Sequence, residues 1–367
     1  MDAVYFHIPF CRKKCFYCSF IVAIAQQRHM RSYADALCTQ MRSCDSRTIS
    51  SIYFGGGTPS QLPVEDFQKI NDRLRKSFVV DDQGEYGIEI NPEDVTPEKL
   101  QCYRDAGVNR ISIGVQTFQD HYLRLLGRVH SAMQAQEAYE TARRAGFSNI
   151  SLDLMYGFPG QTISEIEQDL KVLCGLDCEH VSLYSLTIEP GSKFYRELAG
   201  SPAVTAADKQ YLFVRDYLCR NGFEHYEVSN FSKYGYESRH NLNYWRGGNY
   251  LGFGVAAHSH ENGRRWWNMI GVRDYVKRVE QGESVVEGEE FLSSSKRLSE
   301  ALVFGLRMIT GVSLSELTAR YGCDFSEEQK KMIVKFCMDE FLRLEDGVLR
   351  ATNKGLLVLD DISVGLL

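Results

Sequence analysis

Short apolar runs recur through the first half of the chain. Each is followed by a stretch with apolar residues at helical spacing. The runs near residues 3–8, 51–55, 86–90, 110–115, 150–155 and 180–186 predict strands. The stretches near 31–43, 64–77, 97–106, 133–145 and 163–174 predict helices. Boundary residues agree with this reading. Thr96 is placed to cap a helix that opens on Pro97, and Gly107 follows its last turn. Thr162 and Glu165 have capping-box spacing, and Gly146 and Gly222 stand where helices end. Strands that alternate with helices imply a parallel sheet. Six such units predict an α/β fold, an incomplete (β/α)6 barrel of the TIM type. The expected division is 1–225 for the barrel, 226–295 for flanking strands and a ligand segment, and 296–367 for a small C-terminal domain.

In that last block Leu314–Leu317 opens one helix, and Glu327 to Leu344 is expected to form a longer one. Residues 347–352 then predict a wing-like hairpin, so the block reads as winged-helix-like. A winged helix can bind DNA, but the acidic Ser326-Glu327-Glu328 and a net charge of -6 argue against a nucleic-acid partner. A docking or lid role is the expectation instead.

Composition adds class and compartment. At 367 residues, 44% hydrophobic and 25% charged, the chain reads as a soluble globular protein. No apolar run reaches membrane-span length, and the strand-like Ala3-Val4-Tyr5-Phe6 leaves no room for a signal peptide. Its 11 cysteines are then expected in a reducing cytoplasm. Eight of them read as small core or surface residues, and Cys174 with Cys178 is a weak metal pair.

The other three, Cys11, Cys15 and Cys18, form a C-x-x-x-C-x-x-C loop directly after the first strand. Thiolates at this spacing can hold an iron–sulfur cluster, and three ligands for four irons leave one iron open to a further ligand. A zinc site is the alternative and would need a fourth ligand. The loop shares the C-terminal ends of the strands with polar residues. These are Gly55-Gly56-Gly57-Thr58, Glu89-Ile90-Asn91-Pro92, Gly114-Val115-Gln116, Asp153 with Gly157–Gln161, and Thr187–Pro190. That end of a barrel is where active sites form. Three successive glycines allow close backbone approach to a ligand, or make a tight turn. Glu89 and Asp153, set in apolar strands, need a partner: a hydroxyl, a cation or a neighbouring charge.

These motifs resemble the radical SAM superfamily, whose members use S-adenosylmethionine (SAM). The resemblance narrows to the branch of oxygen-independent coproporphyrinogen dehydrogenases and HemW-type haem chaperones. It rests on Tyr5–Cys11, Phe54–Ser60, Glu89–Pro92, Arg110–Gln116, Gly127-Arg128-Val129-His130, Asp153–Gly157 and His240-Asn241-Leu242-Asn243-Tyr244-Trp245. The resemblance implies a 4Fe-4S cluster on Cys11, Cys15 and Cys18. It implies that SAM chelates the open iron and is cleaved by an electron from the cluster, giving a 5′-deoxyadenosyl radical. Tyr5, Gly56, Gly57, Thr58, Glu89, Gln116, Arg128 and Asp153 would contact SAM, with Arg128 suited to its carboxylate and Asp153 to a ribose hydroxyl. The dehydrogenases carry a further Cys two residues after the third ligand, where this chain has Phe20, and a longer segment before the loop. Both differences favour the chaperone type: a carrier of haem to acceptor haemoproteins, supplied by a low-potential electron donor. Peripheral membrane contact through the acceptor is compatible with this. The dehydrogenase is the alternative, so whether the chain is an enzyme stays open. Segment 239–260 is the expected haem segment, with His240 its first-choice ligand and His258 and His260 further along.

Overall fold

The computed structural model describes residues 2–44, 46–198 and 207–367. The six predicted strands form as β1 (Asp2–Ile8), β2 (Thr48–Gly56), β3 (Val79–Ile90), β4 (Arg110–Gln116), β5 (Ile150–Tyr156) and β6 (His180–Ser185). Each pairs in parallel with the next. Between them lie α1 (Met30–Gln40), α2 (Val64–Ser77), α3 (Pro97–Asp105), α4 (Asp120–Leu126), α5 (Ala132–Arg144) and α6 (Ile163–Leu176). The caps form as their residue types require. Thr96 Oγ1 accepts from Lys99 N–H, and Thr162 and Glu165 close a capping box.

The alternation in the strands has a physical cause. One set of residues faces the helices: Ile52 and Phe54, Tyr86 and Ile88, Ile111 and Ile113, Leu152 and Leu154, Val181 and Leu183, all in one buried core. The other set faces the barrel interior and is polar, so the strands do not read as the continuous apolar runs of a sheet buried in oil on both sides. At the N-terminal end Arg110 lies 3.8 Å from Glu85, and Ser151 Oγ is 2.8 Å from His180 Nδ1. A layer higher, Ser112 Oγ donates to Asp153 at 2.8 Å, and the Tyr53 hydroxyl donates to Glu89 at 3.0 Å.

Beyond β6 the chain adds β7 (Glu224–Glu227) and β8 (Asn230–Ser232), both antiparallel additions at that edge. The sequence did not disclose the other edge. Helix α7 (Lys193–Leu198), α8 (Ala207–Arg220) and α9 (Arg239–Trp245) precede β9 (Asn249–Phe253), which returns to pair in parallel with β1. This makes a seventh parallel strand out of residues read from sequence as a ligand segment. Strands β10 (His258–Glu261), β11 (Arg264–Asn268) and β12 (Val286–Phe291) extend it antiparallel, giving a twelve-stranded sheet among the described residues. Helix α10 (Val272–Glu280) covers this extension, and its buried face joins the barrel's own core.

A second buried core holds α11 (Ser294–Gly305), α12 (Leu314–Tyr321) and α13 (Glu327–Met338) with a three-stranded sheet. The predicted helix from Glu327 to Leu344 is corrected here: it stops at Met338. Glu340 takes a left-handed φ of 61°, Phe341 N–H turns back to Phe336 O, and Leu342–Glu345 becomes a strand. The hairpin to Val348–Ala351 turns through Asp346 and Gly347, both at positive φ, as a tight two-residue turn demands.

Candidate functional site: a cavity at the strand ends

The C-terminal ends of the parallel strands surround a cavity of about 440 Å³. The Cys loop roofs one side. All three thiols line the cavity, together with Gly56, Gly57, Thr58, Glu89, Gln116, Arg128 and Asp153. Cys11 and Asp153, 142 positions apart in the sequence, are thus brought to one face by strand order alone.

The loop is held by both neighbours. Gly57 N–H and Thr58 N–H donate to Ile8 O at 2.9 and 3.2 Å, and Ala23 N–H donates to Pro9 O at 2.7 Å. Arg12, beside the first cysteine, donates to the buried carboxylate of Asp94 at 2.8 Å. Cys11 Sγ lies 3.3 Å from Thr58 Oγ1, and Arg128 Nη1 donates to Cys15 Sγ at 3.6 Å. Burial pushes the Cys11 thiol up to about 11, and the Cys18 thiol is raised for the same reason. Loading a metal cluster on these thiols therefore releases protons.

The glycine run acts differently from the simplest expectation. A Cβ at Gly56, whose φ is +114°, would stand 2.7 Å from His7 Nδ1, and one at Gly57 2.6 Å from Pro9 O. The missing side chains let β2 close on β1 and on the base of the Cys loop, and the freed backbone forms the cavity wall. Gly114 makes room of another kind. A Cβ there would meet Gln116 Nε2 at 3.1 Å, Asn91 Oδ1 at 3.3 Å and Arg128 Nη2 at 3.5 Å. Gln116 reaches this point from a left-handed φ of 68°, where the β4–β5 register slips.

Arg128 is the electrostatic centre. Its Nη2 donates to Asn91 Oδ1 and Gly114 O, each at 2.8 Å. Its Nε is buried without a partner, a donor left for something the chain does not supply. Burial opposes its charge, but the neighbouring Tyr17, Cys15 and Glu93 outweigh this and raise its pKa. Across the cavity the two carboxyls are raised. Burial, then Asp153, lifts Glu89 to about 8; burial lifts Asp153 to about 6.

Two sequence-predicted residues lie elsewhere. Tyr5 is one layer below the lining, stacked on Tyr53 at 6.5 Å with its hydroxyl 3.1 Å from His7 Nδ1. His240, the expected haem ligand, does not line this cavity. It plugs the opposite end of the barrel, buried, with Nδ1 3.0 Å from Ser51 Oγ and Nε2 2.9 Å from the Tyr244 hydroxyl. Both ring nitrogens are engaged, its face lies on Tyr53, and burial holds it neutral with a pKa near about 3. Residues 157–161 do not line the cavity: Gln161 Oε1 accepts from Gly157 N–H and ties its own turn, and its carbonyl accepts from Gln210 Nε2. The sequence reading assigned no contact to Asn91, which joins Thr58 to Arg128, or to Tyr184, Thr187 and Glu189 on the far wall. Asn91 stood in a quoted motif; Tyr184 carried no signal beyond the strand's period of two.

The donor set suits a polynuclear cluster. Among the described residues no three His, Cys, Asp or Glu side chains gather on a single-ion point. Three thiols lining one cavity, with an orphan guanidinium donor and a glycine-backbone wall, fit a metal cluster with an anionic ligand beside it.

A partial barrel with a three-cysteine loop over its polar end defines a radical SAM protein. The radical SAM superfamily profile matches residues 5–173, and the HemN C-terminal domain profile matches residues 292–358. The chain is 37% identical to the heme chaperone HemW of Bacillus subtilis over 88% of its own length and 87% of that protein. It is 33% identical to the heme chaperone HemW of Lactococcus lactis, covering 96% of this chain and 94% of the relative. The chain belongs to the HemW family of radical SAM proteins. Its fold matches the solved coproporphyrinogen III oxidase HemN of Escherichia coli with a TM-score of 0.87 over 100% of this chain and 89% of that one, at 22% identity.

Proposed function

We propose that the chain is a haem carrier that delivers haem to acceptor haemoproteins and holds a 4Fe-4S cluster and SAM in the strand-end cavity. Cys11, Cys15 and Cys18 would hold the cluster. Gly56, Gly57, Thr58, Gln116 and Arg128 would receive the amino-acid part of SAM, and Glu89 and Asp153 its hydroxyl-bearing part. When bound, the pair supplies one-electron chemistry, fed by a low-potential donor. The chain's own part is placement: Arg128 presents a fixed positive charge to a carboxylate, and Glu89, carrying its proton near neutral pH, can donate to an oxygen.

The observation that carries the carrier reading over dehydrogenase chemistry is Phe20. It stands 64% exposed at the cavity mouth, at the position where the dehydrogenase branch has a further cysteine. Relatives named heme chaperone along almost the whole chain support the same reading. No helix among the described residues is long and apolar enough to cross a membrane, so contact with a membrane-bound acceptor would be peripheral.

Haem transfer tests this. Haem-loaded protein is mixed with an excess of an apo-haemoprotein, and the acceptor's own absorption spectrum is followed. A carrier gives transfer faster than an equal amount of free haem, with a rate that rises with carrier concentration. Transfer no faster than from free haem would contradict the proposal.

A further inference from the structure

The Cys loop presents an outer face that the strand-end cavity does not use. Between Asp2 and Asp35 the chain has no acidic residue and five basic ones, Arg12, Lys13, Lys14, Arg28 and Arg31, although its net charge is -6. The fold gathers the two halves of this stretch. Phe10–Cys11 pairs in parallel with Ala23–Ile24, His7 Nε2 lies 3.0 Å from Ile21 O, and Gln27 Nε2 donates to Cys11 O at 3.5 Å. Arg28 follows Gln27 directly, and Arg31 lies in the first turn of α1. Lys13, Arg28 and Arg31 are exposed, and so is Arg12 despite its bond to Asp94. Lys193, at the start of α7, adds a further positive charge: its Nζ stands 3.7 Å from the centre of the Phe16 ring.

The same segment exposes apolar side chains. Phe20, Ile21 and Ile24, just past the third thiol, stand in the chain between Lys14 and Arg28, and all three are exposed. Apolar groups with a charged rim have the build of a protein-docking patch. The charge selects the partner: a basic rim attracts an acidic surface and steers it over a distance. Position says what the partner brings. The patch is built on the loop whose thiols line the cavity, so a redox centre seated on it is separated from them only by the loop. A nucleic acid fits less well, because its binding is carried by phosphate contacts and Ile21 and Ile24 offer phosphates nothing.

We propose that this face docks the electron donor, a small acidic protein that carries a low-potential, one-electron flavin or iron–sulfur centre. This rests on the reading of the cavity as a cluster site and names the surface and the chemistry of the partner that feeds it. One electron leaves the reduced centre of the partner, which is oxidised by one, and enters the 4Fe-4S cluster, which is reduced by one; no bond forms or breaks on this chain. Redox encounters bury less than about 1,200 Å² in total, so one loop and its flank are large enough.

The test uses the full-length chain and two acidic carriers as probes, a plant-type 2Fe-2S ferredoxin and a flavodoxin. Binding is read by fluorescence anisotropy of the labelled carrier. Reduction of the reconstituted cluster is read by its electron paramagnetic resonance after rapid freezing. At least one carrier should bind saturably, and more weakly as salt is raised. Lys13→Glu with Arg28→Glu should lower affinity and reduction rate on the order of tenfold or more. Photoreduced deazaflavin, a small uncharged reductant, should reduce wild type and variant at equal rates, which shows an intact cluster. Arg28→Glu with Arg31→Glu, further along the chain from the thiols, tests the same face should the first variant lose its cluster. Lys331→Glu with Lys335→Glu, an equal charge change on exposed residues of α13, should match wild type. Wild-type binding by both face variants, or an equal loss in the α13 variant, overturns the surface alone. So does failure of both carriers to bind, or an oligonucleotide that binds in their place. A reconstituted chain that holds no 4Fe-4S cluster overturns the cluster reading and the surface with it.

Discussion

Glu89 shows how one residue carries information at two levels. A carboxyl in an apolar strand was visible as an anomaly from sequence, and the structure explains it as one wall of a polar barrel interior. Burial and the nearby Asp153 raise its pKa from 4.5 to about 8. The folded chain therefore keeps a proton that the unfolded chain gives up at lower pH. This contribution to stability is complete below about pH 4.5 and is lost as pH rises through about 8. Glu89→Gln cannot titrate, so the wild-type denaturation midpoint should fall relative to the variant as pH is raised across that window. Parallel profiles would show that Glu89 does not hold its proton. The cysteines, Arg128 and Gln116 were legible because their residue types are unusual in their places. The place of His240 was not legible, because a motif names the residue and not the end of the barrel it occupies.

At the scale of elements, local chemistry and tertiary pairing were legible to different degrees. Six strands and five helices fell close to their predicted positions because helix-facing apolar residues impose the pattern and caps mark the ends. Thr162 is such a cap, with its hydroxyl accepting from Glu165 N–H and Glu165 Oε2 accepting from Thr162 N–H. Thr162→Ala should destabilise the chain by about 1 kcal/mol. Urea denaturation followed by circular dichroism reads this directly; an unchanged midpoint would mean the α6 terminus adds nothing to folding. Strand β9 escaped prediction for a definable reason. Its sequence, Asn249-Tyr250-Leu251-Gly252-Phe253, needs Gly252 because a Cβ there would stand 2.1 Å from His258 O, and glycines weaken a strand signal. Only its parallel pairing with β1, nearly 250 residues earlier, makes it a strand. The end of α13 was missed because Glu340, not a glycine, takes the left-handed turn.

Among the described residues the two largest hydrophobic cores, that of the barrel and that of the C-terminal unit, meet along a polar seam. Val228 N–H donates to Arg307 O and Ile309 N–H to Tyr226 O, so the C-terminal unit is stitched to the barrel's last strands by backbone bonds. Arg307 lies over Trp245, and Arg320 donates to the carbonyls of Arg246 and Gly247. The seam borders a cleft lined by Trp245, Tyr250, Phe304 and Tyr321, while the thiols and Arg128 lie at the strand ends. The proposed function is that of a haem carrier which also holds a cluster and SAM. The measurement that bears most directly on this is an anaerobic turnover assay. Cluster-reconstituted protein is given SAM, a strong reductant and coproporphyrinogen III, with mass detection of porphyrin products and 5′-deoxyadenosine. The account predicts 5′-deoxyadenosine without decarboxylated porphyrin. Protoporphyrinogen formed over many turnovers would contradict it and make the chain a dehydrogenase despite Phe20.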